Sequence, residues 1–164
     1  MVFYEDFIKK IGKSSLDNLK EKDKFFLELK RIIMWMGTGI PILLISLYQF
    51  YVGTLNGVKV TNLIFGAIFL YVALKHIRTV VGYSVELNLS SQILKYEKTE
   101  VDLSQVESCT LKELQIGKKS EIQVVIDIIT QDKKQYIIPL MMGRKMEFVL
   151  MLKKLLGEKF KIQK

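Results

Sequence analysis

His76 and Cys109 are the only histidine and the only cysteine in this chain, and that scarcity bounds its chemistry. A histidine-based metal cluster needs at least two imidazoles, and a serine or cysteine nucleophile needs a nitrogen base beside it. One histidine supplies neither arrangement, and its place at the end of an apolar run suits an interfacial polar residue. A single cysteine forms no intrachain disulfide, and Cys109 reads as a small buried strand residue. Asp127 and Glu121 stand apart on one apolar stretch, without an acid or base partner. Gly117-Lys118-Lys119-Ser120 carries a Lys-Ser pair but lacks the upstream glycine of a phosphate-binding loop. The reading is a protein that is not an enzyme, with no catalytic, cofactor-binding or metal-binding residues and no cofactor.

Basic residues are the other candidates. Lys118-Lys119, Lys133-Lys134, Arg144-Lys145 and Lys153-Lys154 punctuate the second half of the chain. Two hairpin loops can share one end of a small sheet, so Lys118, Lys119, Lys133 and Lys134 are the expected contacts to anionic lipid. The alternative is that they are ordinary solvated loops. The chain holds 25 Lys and Arg against 17 Asp and Glu, a net charge of +8. That excess is spread along the chain, whereas nucleic-acid binders gather it in one patch. Membrane lipids are the expected partners, with a protein partner or self-association beside them, and nucleic acid is not.

The elements that would position these residues begin with a run free of charge. No charged residue falls between Arg31 and Lys59, and a second apolar segment extends from Val60 to about Val81. About 20 apolar residues suffice to cross the roughly 30 Å hydrocarbon core of a bilayer. The expectation is a transmembrane hairpin over 32–81, with spans at about 32–52 and 60–81. Basic residues flank its outer ends: Lys20, Lys22, Lys24, Lys30 and Arg31 before it, Lys75 and Arg78 at its close. Its loop carries only Lys59. By the bias of basic residues toward the cytoplasm, both termini are cytoplasmic in a multi-pass protein of the cell (inner) membrane. Neither span contains Asp or Glu, which disfavours ion transport by this chain alone.

Residues 1–31 read as an amphipathic helical arm. One helix places Phe3, Phe7, Ile8 and Ile11 on a face and stops at Gly12. A second starts after a Ser14 or Ser15 cap and lines up Leu16, Leu19, Phe26 and Leu29. After Gly82 the period drops to two. Tyr83, Val85, Leu87 and Leu89 alternate with polar residues, and strands follow near Ile93–Lys98, Ser108–Ile116, Glu121–Thr130 and Gln135–Leu140. Met146, Val149, Leu152, Leu155 and Leu156 then mark an amphipathic helix ending at Gly157. A short bent sheet closed by one helix forms the 82–164 domain.

Three stretches carry a resemblance. Glu86–Lys95 resembles the first hairpin, Val101–Ser108 the step into the third strand, and Tyr136–Leu140 the last strand of bacterial membrane-anchored pleckstrin-homology-like proteins of the YcxB-like kind. The resemblance covers about half the chain, and the preceding hairpin is similar to that of the anchored subgroup. It implies a bacterial cell-membrane protein of mixed class: a two-helix transmembrane hairpin, then a small pleckstrin-homology-like antiparallel β domain capped by a C-terminal helix. The function expected is a non-enzymatic, membrane-tethered interaction or scaffolding protein. Two alternatives are a sensor of anionic lipid headgroups, and an accessory subunit of a larger membrane transport or secretion complex.

Overall fold

The structure is a computed structural model and describes residues 2–14, 20–55, 57–116 and 121–163. It divides into two compact units: Leu27–Tyr83, and a second made of Met1–Phe26 together with Ser84–Lys164.

The first unit is a pair of helices, α2 (Leu29–Leu55) and α3 (Val60–Gly82). Both are long and apolar enough to cross a membrane. Their contact is built from small residues, which let two helix backbones approach closely. A β-carbon on Gly39 would lie 2.9 Å from His76 Cδ2, one on Gly53 2.9 Å from a Leu63 methyl, and one on Gly66 3.2 Å from the Phe50 ring. At Ser46 the hydroxyl donates to the Gly66 carbonyl at 2.8 Å, a fully buried bond between the helices. Pro41 is held within a continuous α2. The turn closes through the Lys59 amide on the Gly53 carbonyl, and Gly57 takes φ +93°, where glycine meets no steric penalty. Asn56 of that turn lies outside the described residues.

Among the described residues, the second unit holds α1 (Val2–Lys13), eight strands and α4 (Lys145–Leu156). The first sheet is a meander of β1 (Lys22–Phe26), β2 (Ser84–Asn88), β3 (Ile93–Tyr96) and β4 (Thr99–Asp102). A single 3-10 turn at Leu103–Gln105, capped by the Asp102 carboxylate on the Ser104 amide, leads to the second sheet. That sheet contains β5 (Val106–Ile116), β6 (Glu121–Thr130), β7 (Gln135–Pro139) and β8 (Phe160–Ile162), in the order β7-β6-β5-β8. All pairs are antiparallel except β5 with β8. The period-two reading of Tyr83–Leu89 holds: Val85 and Leu87 are buried, and Ser84, Glu86 and Asn88 are not. Leu87, Leu94 and Val101 sit opposite one another across three strands as one buried row.

The second helix expected in the N-terminal arm is not what forms at Lys22–Phe26. Those residues make β1, paired with β2 from Lys22↔Asn88 to Phe26↔Ser84. Burial decides it. As a strand, the segment buries Phe25 edge-on against Phe148 of α4, with ring centroids 5.3 Å apart, and keeps its lysines in water. The helical grouping of Phe26 with Leu29 joined residues of two different units. Leu16, Asp17 and Leu19 lie outside the described residues. The apolar pair of helices is thus inserted between two paired neighbouring strands of one sheet.

α4 buries five consecutive residues, Phe148 to Leu152, and Leu156. Five in a row cover more than one helix face, so α4 is enclosed from several sides rather than laid on a surface. It ends where expected, at Gly157, whose φ of +53° suits glycine.

Candidate functional site

Of the four lysines expected to form a basic rim, Lys133 and Lys134 occupy the turn between β6 and β7. Lys133 takes φ +61° and pairs with Glu107 at 2.7 Å, while Lys134 pairs with Asp132 at 2.7 Å. The hydrogen bond from Lys134, reinforced by that from the Thr130 hydroxyl, holds the Asp132 carboxyl down at about 2. Both lysines therefore already have carboxylate partners. Lys118 and Lys119 lie outside the described residues. They precede Glu121, the first residue of β6, whereas Lys133 and Lys134 follow Thr130, its last.

Arg144 is also engaged. It precedes the first turn of α4, donates to both Asp23 oxygens at 2.5 and 2.8 Å, to the Lys24 carbonyl at 3.0 Å and to Glu147 at 2.9 Å. Its guanidinium carbon also lies 5.1 Å over the Phe25 ring. The residue clamps β1 to α4. Arg144's hydrogen bond holds the Asp23 carboxyl below its ordinary value, against an opposing effect of burial. A depressed carboxyl stabilises the fold fully above its unfolded pKa, about 3.9, and that contribution is lost as pH falls through the lower folded value. Asp23→Asn is therefore expected to lower the urea midpoint of the full chain at pH 7. The difference from the parent should shrink as the pH is lowered below about 3.9, as followed by circular dichroism. A gap that persists unchanged at pH 2 would refute the assignment.

Cys109 is fully buried on β5, and burial, with the Asp127 charge adding to it, pushes its thiol up to about 12. The thiolate form that reacts is thereby suppressed. His76 places Nε2 2.9 Å from the Trp35 carbonyl of the facing helix, the polar residue expected near a span end but spent on a helix-to-helix contact. Asp127 is buried on β6, paired to Lys112 at 2.6 Å and held through both oxygens by the Gln135 amide at 2.9 and 3.0 Å. Among the described residues no group of three or more His, Cys, Asp or Glu side chains is placed to hold a metal ion.

One cavity escaped the sequence. A cleft of about 560 Å³ lies between α1 and β5, lined by Tyr4, Glu5, Ile8, Lys9, Lys112, Glu113 and Gln163. Its floor is set by the buried Tyr4 hydroxyl, 3.0 Å from the Leu111 carbonyl and 2.6 Å from that of Gln163. Burial, then Glu113, raises the Tyr4 pKa, so the hydroxyl stays a donor. No sequence signal could have found the cleft, since nothing in the periodicity of α1 says which strand it covers. Its cations and carboxylates are balanced, so its electrostatics select no ligand charge.

The hairpin carries further cations. Lys75 and Arg78 are exposed on α3, with Lys75 Nζ 6.0 Å from the Tyr71 ring centre. No family model matches the chain, and no curated protein or solved structure matches it.

Proposed function

We propose that this chain is a non-enzymatic, membrane-tethered interaction module of the cell membrane. In this reading α2 and α3 cross the bilayer as a hairpin, and the two-sheet unit is a pleckstrin-homology-like domain on the cytoplasmic side. The observation that carries it is exposure along two apolar helices. Leu44, Tyr48, Phe65 and Tyr71 are each more than half exposed, although α2 and α3 pack tightly on each other through their opposite stripes. A soluble core helix would bury such side chains, whereas lipid would cover them. The domain assignment rests on order: a four-strand meander, a three-strand meander, then a closing helix. Lys22–Phe26 supplies a first strand that the chain after the hairpin lacks. Scaffolding follows as the role because the polar groups with distinctive environments, Asp127, Arg144 and His76, are all bound to neighbours within the fold.

Labelling tests the topology. Cys109 is buried with a raised pKa, so introduced cysteines can be read against a low background. Val58→Cys is expected to react with an impermeant maleimide on intact cells, and Gln163→Cys only after permeabilisation. The reverse pattern would invert the orientation. Release of the chain from membranes by alkaline carbonate would end the membrane reading altogether.

A further inference from the structure

The unit Leu27–Tyr83 contains five basic residues, Lys30, Arg31, Lys59, Lys75 and Arg78, and a single carboxylate, Glu28. Among the described residues, none of the five takes part in an ion pair. Two of them are placed where a charge is costly. On α3 the residues facing α2 include the buried Gly66, Ala73 and Val80. Ile64, Ile68, Tyr71, Lys75 and Arg78, spaced four and three apart, form a different stripe, and all five are exposed. That stripe points away from the partner helix.

Depth follows from helix geometry. The uncharged part of α3, Val60–Leu74, is about 22 Å long at 1.5 Å per residue, short of the roughly 30 Å hydrocarbon thickness. Lys75 and Arg78 lie about 10 and 6 Å from the end of the helix at Gly82. The facing residues agree. Gly39 of α2 sits against His76 and Ile77, so the cation pair is level with Gly37–Pro41, well inside the charge-free run of α2. Lys30 and Arg31 belong to a separate tier, about two and a half helical turns further out. On the membrane reading, the inner tier lies at the boundary of headgroup and hydrocarbon, facing lipid, without a counter-ion among the described residues.

We infer that Lys75 and Arg78 form a binding site for the headgroup phosphate of an anionic phospholipid, with its acyl chains running down the Tyr71, Ile68 and Ile64 stripe. This rests on the membrane reading above. An arginine fork and a lysine three residues apart on a helix project as neighbours, and the guanidinium can hold phosphate through two N–H bonds. Tyr71 supplies the amphipathic ring suited to the same level. The continuous apolar stripe selects a lipid over free phosphate. The site differs from the expected loop lysines in place and in availability, since Lys133 and Lys134 are already paired.

The test uses the full chain in neutral detergent, with lipid retention read by native mass spectrometry. Parent protein is expected to retain dioleoylphosphatidylglycerol over dioleoylphosphatidylcholine and to ignore inorganic phosphate at the same concentration. Basic residues near an anionic surface each contribute about 1 kcal/mol, so Lys75→Gln with Arg78→Gln should cut phosphatidylglycerol retention roughly 10- to 30-fold. Phosphatidylcholine should be unaffected. The exchanged variant, Lys75→Arg with Arg78→Lys, should keep the preference and so report that the helix is intact. Equal retention by the Gln variant and the parent, equal binding of the two lipids by the parent, or binding of free phosphate as strong as that of lipid would each overturn the site. Alkaline carbonate extraction separates the two ideas. A chain that stays in the membrane but lacks the preference loses only this site, and a chain that is released loses both.

Discussion

Removing residues 1–26 is expected to unfold the β unit. Replacing Leu27–Tyr83 by a two-residue turn between Phe26 and Ser84 is expected to leave it folded and soluble. The argument is topological. β1 pairs with β2 along all five residues, and its last pair, Phe26↔Ser84, places the two chain ends on adjacent strands, about 5 Å apart. A tight hairpin turn bridges that gap. Without β1, the β2 ladder is open on one side and Phe148 loses its ring partner. Arg144 loses both Asp23 oxygens at the same time. Phe25 is 1 % exposed, and its replacement by Ala alone should cost about 3–5 kcal/mol, a large share of the 5–15 kcal/mol typical of a domain. Circular dichroism and urea titration of the two variants decide the matter. A cooperative unfolding transition from residues 84–164 alone would show that β1 is dispensable.

Why β1 was hidden, while much else was legible, comes down to how many residues carry each signal. The hairpin declares itself through a long stretch without charge; the observed α2 extends the expected first span by three residues at each end, and α3 ends one residue beyond the expected second. β2 shows strict alternation over five residues, and α4 shows helical spacing closed by a glycine. By contrast, β1 has one buried apolar residue among Lys22–Phe26, and its only pairing partner lies beyond the hairpin. A helical wheel drawn through such a segment finds an apolar side by chance. β8 is three residues long and earns its place by adding to β5, a tertiary contact with no local period. The candidate sites divide the same way. The shortage of imidazole and thiol is a matter of composition. Whether a lysine is free depends on register, as Lys133 with Glu107 and Lys112 with Asp127 illustrate. The loop lysines looked the most available in the sequence, and the two that are described are paired. The unpaired hairpin cations looked like topological markers, and their placement on an outward stripe is what gives them a further role.

Breaking the Lys112–Asp127 pair on one side is the other change with a large expected effect. Asp127 is 5 % exposed, in the middle of β6, with Lys112 diagonal to it on β5 and Gln135 diagonal on β7. Its carboxylate accepts from Lys112 at 2.6 Å and from the Gln135 amide at 2.9 and 3.0 Å. Taking a carboxylate out of water is costly, and the pair recovers that cost only while the cation is present. Lys112→Met keeps the length and apolar stem of the side chain but leaves the buried carboxylate without its cation. The expected loss is about 3–5 kcal/mol, read as a fall in the urea midpoint at pH 7. Adding Asp127→Leu to that variant removes the stranded charge, and most of the loss should be recovered, because an ion pair replaced by apolar residues of similar volume is often neutral or stabilising. Gln135 then faces an apolar side chain at a position already open to solvent, so its amide can turn to water. The asymmetry discriminates between two accounts of the pair. If the double variant is as unstable as Lys112→Met, the site depends on the carboxylate's hydrogen bonds to β7 rather than on charge balance. A single variant within about 0.5 kcal/mol of the parent, the usual range for surface substitutions, would mean that solvent reaches Asp127 and that the pair behaves as a surface ion pair.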